Sequence, residues 1–120
     1  MNNIDENKNK EYFIAEIDGQ HCPILGTFLK EIAIVFRFPN YYGENINALW
    51  DCLGDLSWLN AANYSLVIKN SAMFLTEESK KTKEEIIELL SKISDDWNHV
   101  PNFDGEDQFR KRSDFKIVYD

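Results

Sequence analysis

Apolar residues recur along this chain with two different periods, and the period changes mark the elements. Tyr12 to Ile17 places apolar residues on both faces and ends at Asp18-Gly19, which predicts a strand closed by a turn. Phe28, Ile32, Val35 and Phe36 then follow at steps of four, three and one. That stripe predicts an amphipathic helix from Thr27, its expected N-cap, to about Arg37. Pro39 forces Phe38 out of helical geometry and stops it. A second helix is predicted from about Asn45, as N-cap, to Leu53 or a few residues beyond. Ile46, Leu49, Leu53 and Leu56 would face the core, with Asn47, Asp51, Gly54 and Asp55 opposite and Trp50 on the boundary. Gly43 is expected to supply a positive φ that aims the preceding loop into this helix, and Tyr42 to pack beneath that loop. Ser65-Leu66-Val67-Ile68 reads as a buried parallel strand. A short helical turn is expected within Ala72 to Lys81. Thr82-Lys83-Glu84-Glu85 fits a capping box, opening a helix that buries Ile86, Leu89, Leu90, Ile93 and Trp97. Pro101 and Gly105 interrupt a long loop from Asn98 to about Ser113, and Phe115 to Tyr119 is the last strand.

The order strand, two helices, strand, helix, strand requires parallel pairing through right-handed crossovers. With the strands in chain order, both crossovers lie on one face of the sheet. The expected architecture is therefore α/β: a compact two-layer domain with a three-stranded parallel sheet and helices packed on it. Residues 1–10 are polar and are expected to form a flexible tail, leaving 11–120 as one domain. The second helix would turn its Asn47, Asp51 and Asp55 face outward.

Charge adds a functional constraint. The chain carries 21 acids against 13 bases, a net charge of −8, which argues against nucleic acid or an anionic membrane as partner. Between Phe38 and Ile68 there is no Lys, Arg or His, while Glu44, Asp51 and Asp55 all fall inside that window. Such a surface suits either plain solvation or a basic partner. Cys22 and Cys52 lack CxxC spacing, no secretory leader opens the chain, and no apolar run is long enough to span a bilayer. Two reduced thiols in the cytoplasm is the expected setting.

The stretch Pro39-Asn40-Tyr41-Tyr42-Gly43-Glu44-Asn45, continued by Ala48-Leu49-Trp50-Asp51-Cys52-Leu53, resembles the barstar family, intracellular inhibitors of barnase-type secreted ribonucleases. The dense match covers about fifteen residues, and the element order extends it from Tyr12 to Asp120. The resemblance implies that the second helix and its preceding loop plug a nuclease active site in a 1:1 complex, acids taking the places of substrate phosphates. It puts Tyr41, Trp50 and Asp51 in the inhibitory surface, with Asp51 as the central acid, and Glu44, Asn47, Gly54 and Asp55 beside them. Asn47 stands where a second acid is usual, Gly54 where a threonine is usual, and Asp55-Leu56 where Gly-Trp occurs. These departures are expected on the contact face, where they would affect the choice of partner. A toxin of other chemistry, such as a DNase, and an adaptor role without a toxin partner are the alternatives.

Physical chemistry supports an outward-facing role for the acids. Asp51 and Asp55 are four residues apart, and a helix C-terminal half is mildly unfavourable for negative charge. Folding stability alone would not select them, whereas a basic partner converts their repulsion into attraction. Aromatic residues around a central charge match the composition of binding hot spots. Each has an ordinary alternative: Asp55 as a solvated acid, Trp50 as a boundary core residue. No other chemistry competes. His21 and His99 lack neighbours at metal-ligand spacing. Asp104-Gly105-Glu106-Asp107 lacks the ligand order of an EF-hand, and no phosphate loop, nucleophile elbow or triad spacing occurs. The chain is expected to be a binding protein without cofactor, not an enzyme.

Overall fold

A computed structural model describes residues 11–99 and 113–120. The expected polar tail, most of the loop between Asn98 and Ser113, and the Asp104 to Asp107 acids lie outside the described residues. Three strands form one parallel sheet in the order β1 (Tyr12–Asp18), β2 (Asn63–Lys69), β3 (Phe115–Tyr119). Registers such as Ala15 to Leu66 to Ile117 carry side chains of like orientation across all three strands. Ala15, Ile17, Leu66, Ile68 and Phe115 are buried on the inner face, while Ile14, Glu16, Lys116 and Val118 on the other are open to solvent. Along the edge strand β1 the burial alternates as it does in a sheet covered on one side. The central strand β2 is buried as expected: Tyr64, Ser65, Leu66 and Ile68 are buried and Val67 is half-buried. The architecture is the two-layer α/β domain that the sequence predicts.

The helices are α1 (Leu25–Val35), α2 (Ile46–Asp55) and α3 (Lys80–Asn98). The first two make one crossover and the third makes the other, and a 3-10 turn at Ser71–Met73 overlaps the start of the stretch from Ala72 to Lys81 where a short helical turn is expected. Phe28, Ile32 and Phe36 from α1 meet Leu49 and Leu53 from α2 and Ile86, Leu90, Ile93 and Trp97 from α3 in one core. Phe36 sits at its centre, its ring stacked at about 6 Å on both Phe13 and Phe115. Among the described residues no helix is long and apolar enough to cross a membrane.

Two helix starts differ from expectation, each for a local reason. α1 begins at Leu25, before Thr27, whose hydroxyl instead donates back to the Ile24 carbonyl. Ile24 offers no side-chain cap, so the Leu25 N–H donates to the Glu78 carboxylate at 2.8 Å, a partner 53 residues away in sequence. α3 begins at Lys80 because Ser79 accepts from the Thr82 N–H at 3.1 Å. Ser79 thus holds the capping position assigned to Thr82, and Lys80 and Lys81, good helix formers, join the first turn. At its other end α1 stops at Val35, two residues short of Arg37, in a Schellman closure. Arg37 is left-handed (φ 56°), its N–H bonds to the Ile34 carbonyl and the Phe38 N–H to the Ala33 carbonyl.

Candidate functional site

Everything from Phe36 to Leu56 is arranged to fix α2 and the loop that enters it. The Tyr42 ring packs edge-on against Phe38, and its hydroxyl donates to the Leu29 carbonyl of α1 at 3.1 Å, beneath the loop. Burial raises the Tyr42 phenol far above its ordinary range, with smaller contributions from Cys52 and Glu44, so it stays a neutral donor. The indole N–H of Trp58 donates to the Phe36 carbonyl at 2.8 Å, joining the end of α1 to the segment after α2. Asn45 caps α2 as expected, its side-chain oxygen accepting from the Ala48 N–H at 2.8 Å.

Gly43 works differently from the expectation. Left-handed backbone falls at the next residue, Glu44 (φ 53°), not at Gly43. What Gly43 contributes is space. A Cβ there would stand 3.0 Å from the Asn45 side-chain nitrogen, which turns back toward the Gly43 carbonyl. The glycine thus makes room for the cap residue.

On the outer side of α2 the structure brings most of the expected site residues together. Asp51 and Asp55 are both exposed, one turn apart, and Trp50 is 39% exposed beside Asp51. Asn47 is exposed one turn before Asp51, and Gly54 is half-buried one residue before Asp55. Tyr41, 73% exposed, projects from the loop. Its phenol is raised by partial desolvation and then by the Asp55 carboxylate, which ties the two to one patch. Among the described residues no hydrogen bond or ion pair engages the Asp51 carboxylate. Asp55 accepts a bond from the Ser57 N–H at 3.3 Å.

Three residues fall differently. Glu44 is compensated after all, by Lys30 of α1, whose ammonium lies 3.2 Å from its carboxylate. No window of sequence could reveal that base, because it arrives from another helix. Ile46, expected in the core, is 37% exposed on the α3 side of α2, and Cys52 takes an inward position instead. Leu56 is fully buried, so its departure from the family's tryptophan belongs to the core and not to the contact face. The other departures, Asn47, Gly54 and Asp55, keep at least partial exposure.

The buried thiols are not reactive features. Cys52 is raised by burial and then by Asp51 and Asp55, and Cys22 is pushed up to about 11, mainly by burial. Both are free. Among the described residues no group of three His, Cys, Asp or Glu side chains could hold a metal ion. The arrangement offers an exposed, acidic, aromatic-flanked helix face.

Comparison with known proteins leads to the same place. The family described as Barstar (barnase inhibitor) matches residues 12–119. A protein of Bacillus subtilis (strain 168) named "Putative ribonuclease inhibitor YrdF" is 32% identical over 87 residues, covering 70% of this chain and 92% of that protein. The match runs from the first residue of β1 to the last of β3, across the sheet, all three helices and the acidic face of α2, and the chain belongs to the barstar family.

Proposed function

We propose that this chain is a stoichiometric inhibitor of a basic ribonuclease, an immunity protein acting in the cytoplasm of the cell that makes the nuclease. The family is one of inhibitors and not of enzymes. In this reading α2 and the Tyr41-Tyr42-Gly43 loop enter the nuclease cleft in a 1:1 complex. Asp51 faces the basic groups that otherwise bind substrate phosphate, and Trp50 and Tyr41 exclude water around that contact. Asn47, Gly54 and Asp55 adjust the fit to one partner, and Glu44 fixes the loop through Lys30.

The observation that carries the proposal is the exposed Asp51 carboxylate, held on a rigidly capped helix between Trp50 and Asp55 without a partner among the described residues. A charge in that setting adds nothing to folding and has most to gain from a cation on another molecule. Asp51→Ala is expected to abolish neutralisation of the cognate ribonuclease at equal molar ratio while leaving the unfolding free energy equal or slightly higher. Co-purification of the secreted nuclease, followed by RNA and DNA degradation assays with both forms, checks this. A variant that still neutralises the nuclease would remove Asp51 from its central place, and degradation of DNA alone would reassign the partner.

A further inference from the structure

The last turn of α2 ends on groups that do not belong to the helical ladder. The Leu56 N–H closes the final backbone bond, to the Cys52 carbonyl at 3.1 Å. The next donor along the chain, the Ser57 N–H, turns instead to the Asp55 carboxylate. The Leu53 carbonyl accepts the indole N–H of Trp97, at 2.8 Å and in a buried setting, from the far end of α3. Leu56 stands in left-handed backbone (φ 52°), which costs a leucine more than a glycine, and its fully buried side chain holds it there. Trp97 is itself fixed from behind. Its ring lies 5.2 Å from that of Tyr64 on β2, and its carbonyl accepts the Ser113 N–H just before β3.

We infer that Trp97 is a positioning residue for the inhibitory face: its indole N–H ends α2 after Asp55 and so sets where the Asp55 carboxylate points. The inference rests on the ribonuclease-inhibitor reading and adds a residue that is itself buried away from any partner. The physical reason is competition for one carbonyl. Without the indole, a buried acceptor is left unpaired, which is costly. The nearest replacement donor is the Ser57 N–H, four residues on, where the next helical bond would fall. Taking it would carry α2 onward, draw Leu56 out of its left-handed cap and strip Asp55 of its bond to Ser57. Asp55 would then change direction relative to Asp51, one turn earlier, although neither charge is altered. The indole thus acts on the geometry of the acid pair and not on its strength.

The test uses the full chain and a panel of purified barnase-type ribonucleases made catalytically inactive, at about pH 8, where a buried imidazole is neutral. Trp97→Phe keeps an aromatic ring and loses the donor. Trp97→His loses more apolar surface, yet its imidazole Nε2 overlays the indole Nε1 and restores an N–H. Trp97→Phe is expected to speed dissociation by about fivefold or more, and Trp97→His by less than about twofold. Association and its salt dependence should match wild type in both, because no charge changes. In the free proteins, amide exchange at Leu56 should accelerate in Trp97→Phe beyond that of core amides in β2, and return toward wild type in Trp97→His. A role in packing alone predicts the reverse order, with Trp97→Phe the milder change, and that result would overturn the inference. Wild-type dissociation in both variants would overturn it too. Should the smaller rings disturb folding, benzothienylalanine in place of Trp97 keeps the indole outline with sulfur for the N–H, and the outcomes for Trp97→Phe pass to it. If wild type binds a ribonuclease and Asp51→Ala does not, yet the Trp97 variants are silent, the functional reading stands and the positioning role falls. If wild type binds none of the panel, both fall together.

Discussion

Cys22 shows how a residue with no part in binding still leaves a measurable signature. Its thiol is buried between the 3-10 turn Gly19–His21 and α1, and burial, aided by Glu31 and Asp18, raises it from 9.0 to about 11. The folded state thus favours the neutral thiol. Its contribution to stability is fully present below about pH 9 and is lost as pH rises through about 11. Urea unfolding between pH 8 and pH 11 should show stability falling with pH, and Cys22→Ala should lower the starting stability but flatten that slope. An unchanged slope would mean that other groups carry the loss. Asp18 acts in the opposite sense. Its carboxylate accepts from the Asn70 amide and the Gln20 N–H and is lowered from 3.8, so its contribution is present above pH 3.8 and fades as acid titrates it. Such side chains also mark what the sequence could convey. Asn45 was legible as a cap because its partner, Ala48, is three residues away. Glu44's cation was not, because Lys30 reaches it only after α1 and the loop have packed.

The helices repeat that lesson in their boundaries. Their stripes of buried residues stood in the sequence almost as the structure has them, since a 3.6-residue period survives whatever the neighbours do. The start of α2 at Asn45 did too, but those of α1 and α3 did not, because a helix begins where a donor finds an acceptor. Ser79 and Thr82 are both capping residues, and the structure gives the role to Ser79. Ser79→Ala is therefore expected to cost about 1 kcal/mol and Thr82→Ala distinctly less, since Thr82 contributes its backbone N–H in either form. Chemical denaturation of the two variants decides between them, and equal losses would contradict the assignment. For α1 no local capping residue serves, and Glu78 fills the need from the end of the segment before α3. Glu78→Ala should cost about 1–2 kcal/mol, because a charge-assisted bond to a helix N-terminus is lost. Amide exchange at Leu25 should accelerate with it. A silent substitution would show that water replaces the carboxylate there without loss.

The whole molecule carries a net charge of −8, and its topology decides where that charge acts. Both crossovers lie on one side of the sheet, so α2 is presented at the surface with its acids directed away from the core. Asp51 and Asp55 reinforce each other there, and among the described residues Glu44 alone of the three is neutralised, through Lys30. On the proposed function, a basic nuclease approaching this face is attracted before any contact forms. Ions shorten the reach of that attraction from about 30 Å at 0.01 M to about 8 Å at physiological strength. The association rate should accordingly fall by about tenfold or more across that range, while dissociation, governed by desolvated contacts, changes little. Lys30→Met sharpens the expectation. Freeing Glu44 adds one charge to the field, so association should accelerate at low salt and converge with wild type at high salt. Stability should move by no more than about 1 kcal/mol, since the pair is exposed. Stopped-flow mixing with an inactive ribonuclease resolves both rates. If association were insensitive to salt in wild type and variant alike, the acidic face would not steer the encounter, and its acids would have to act through close contact alone.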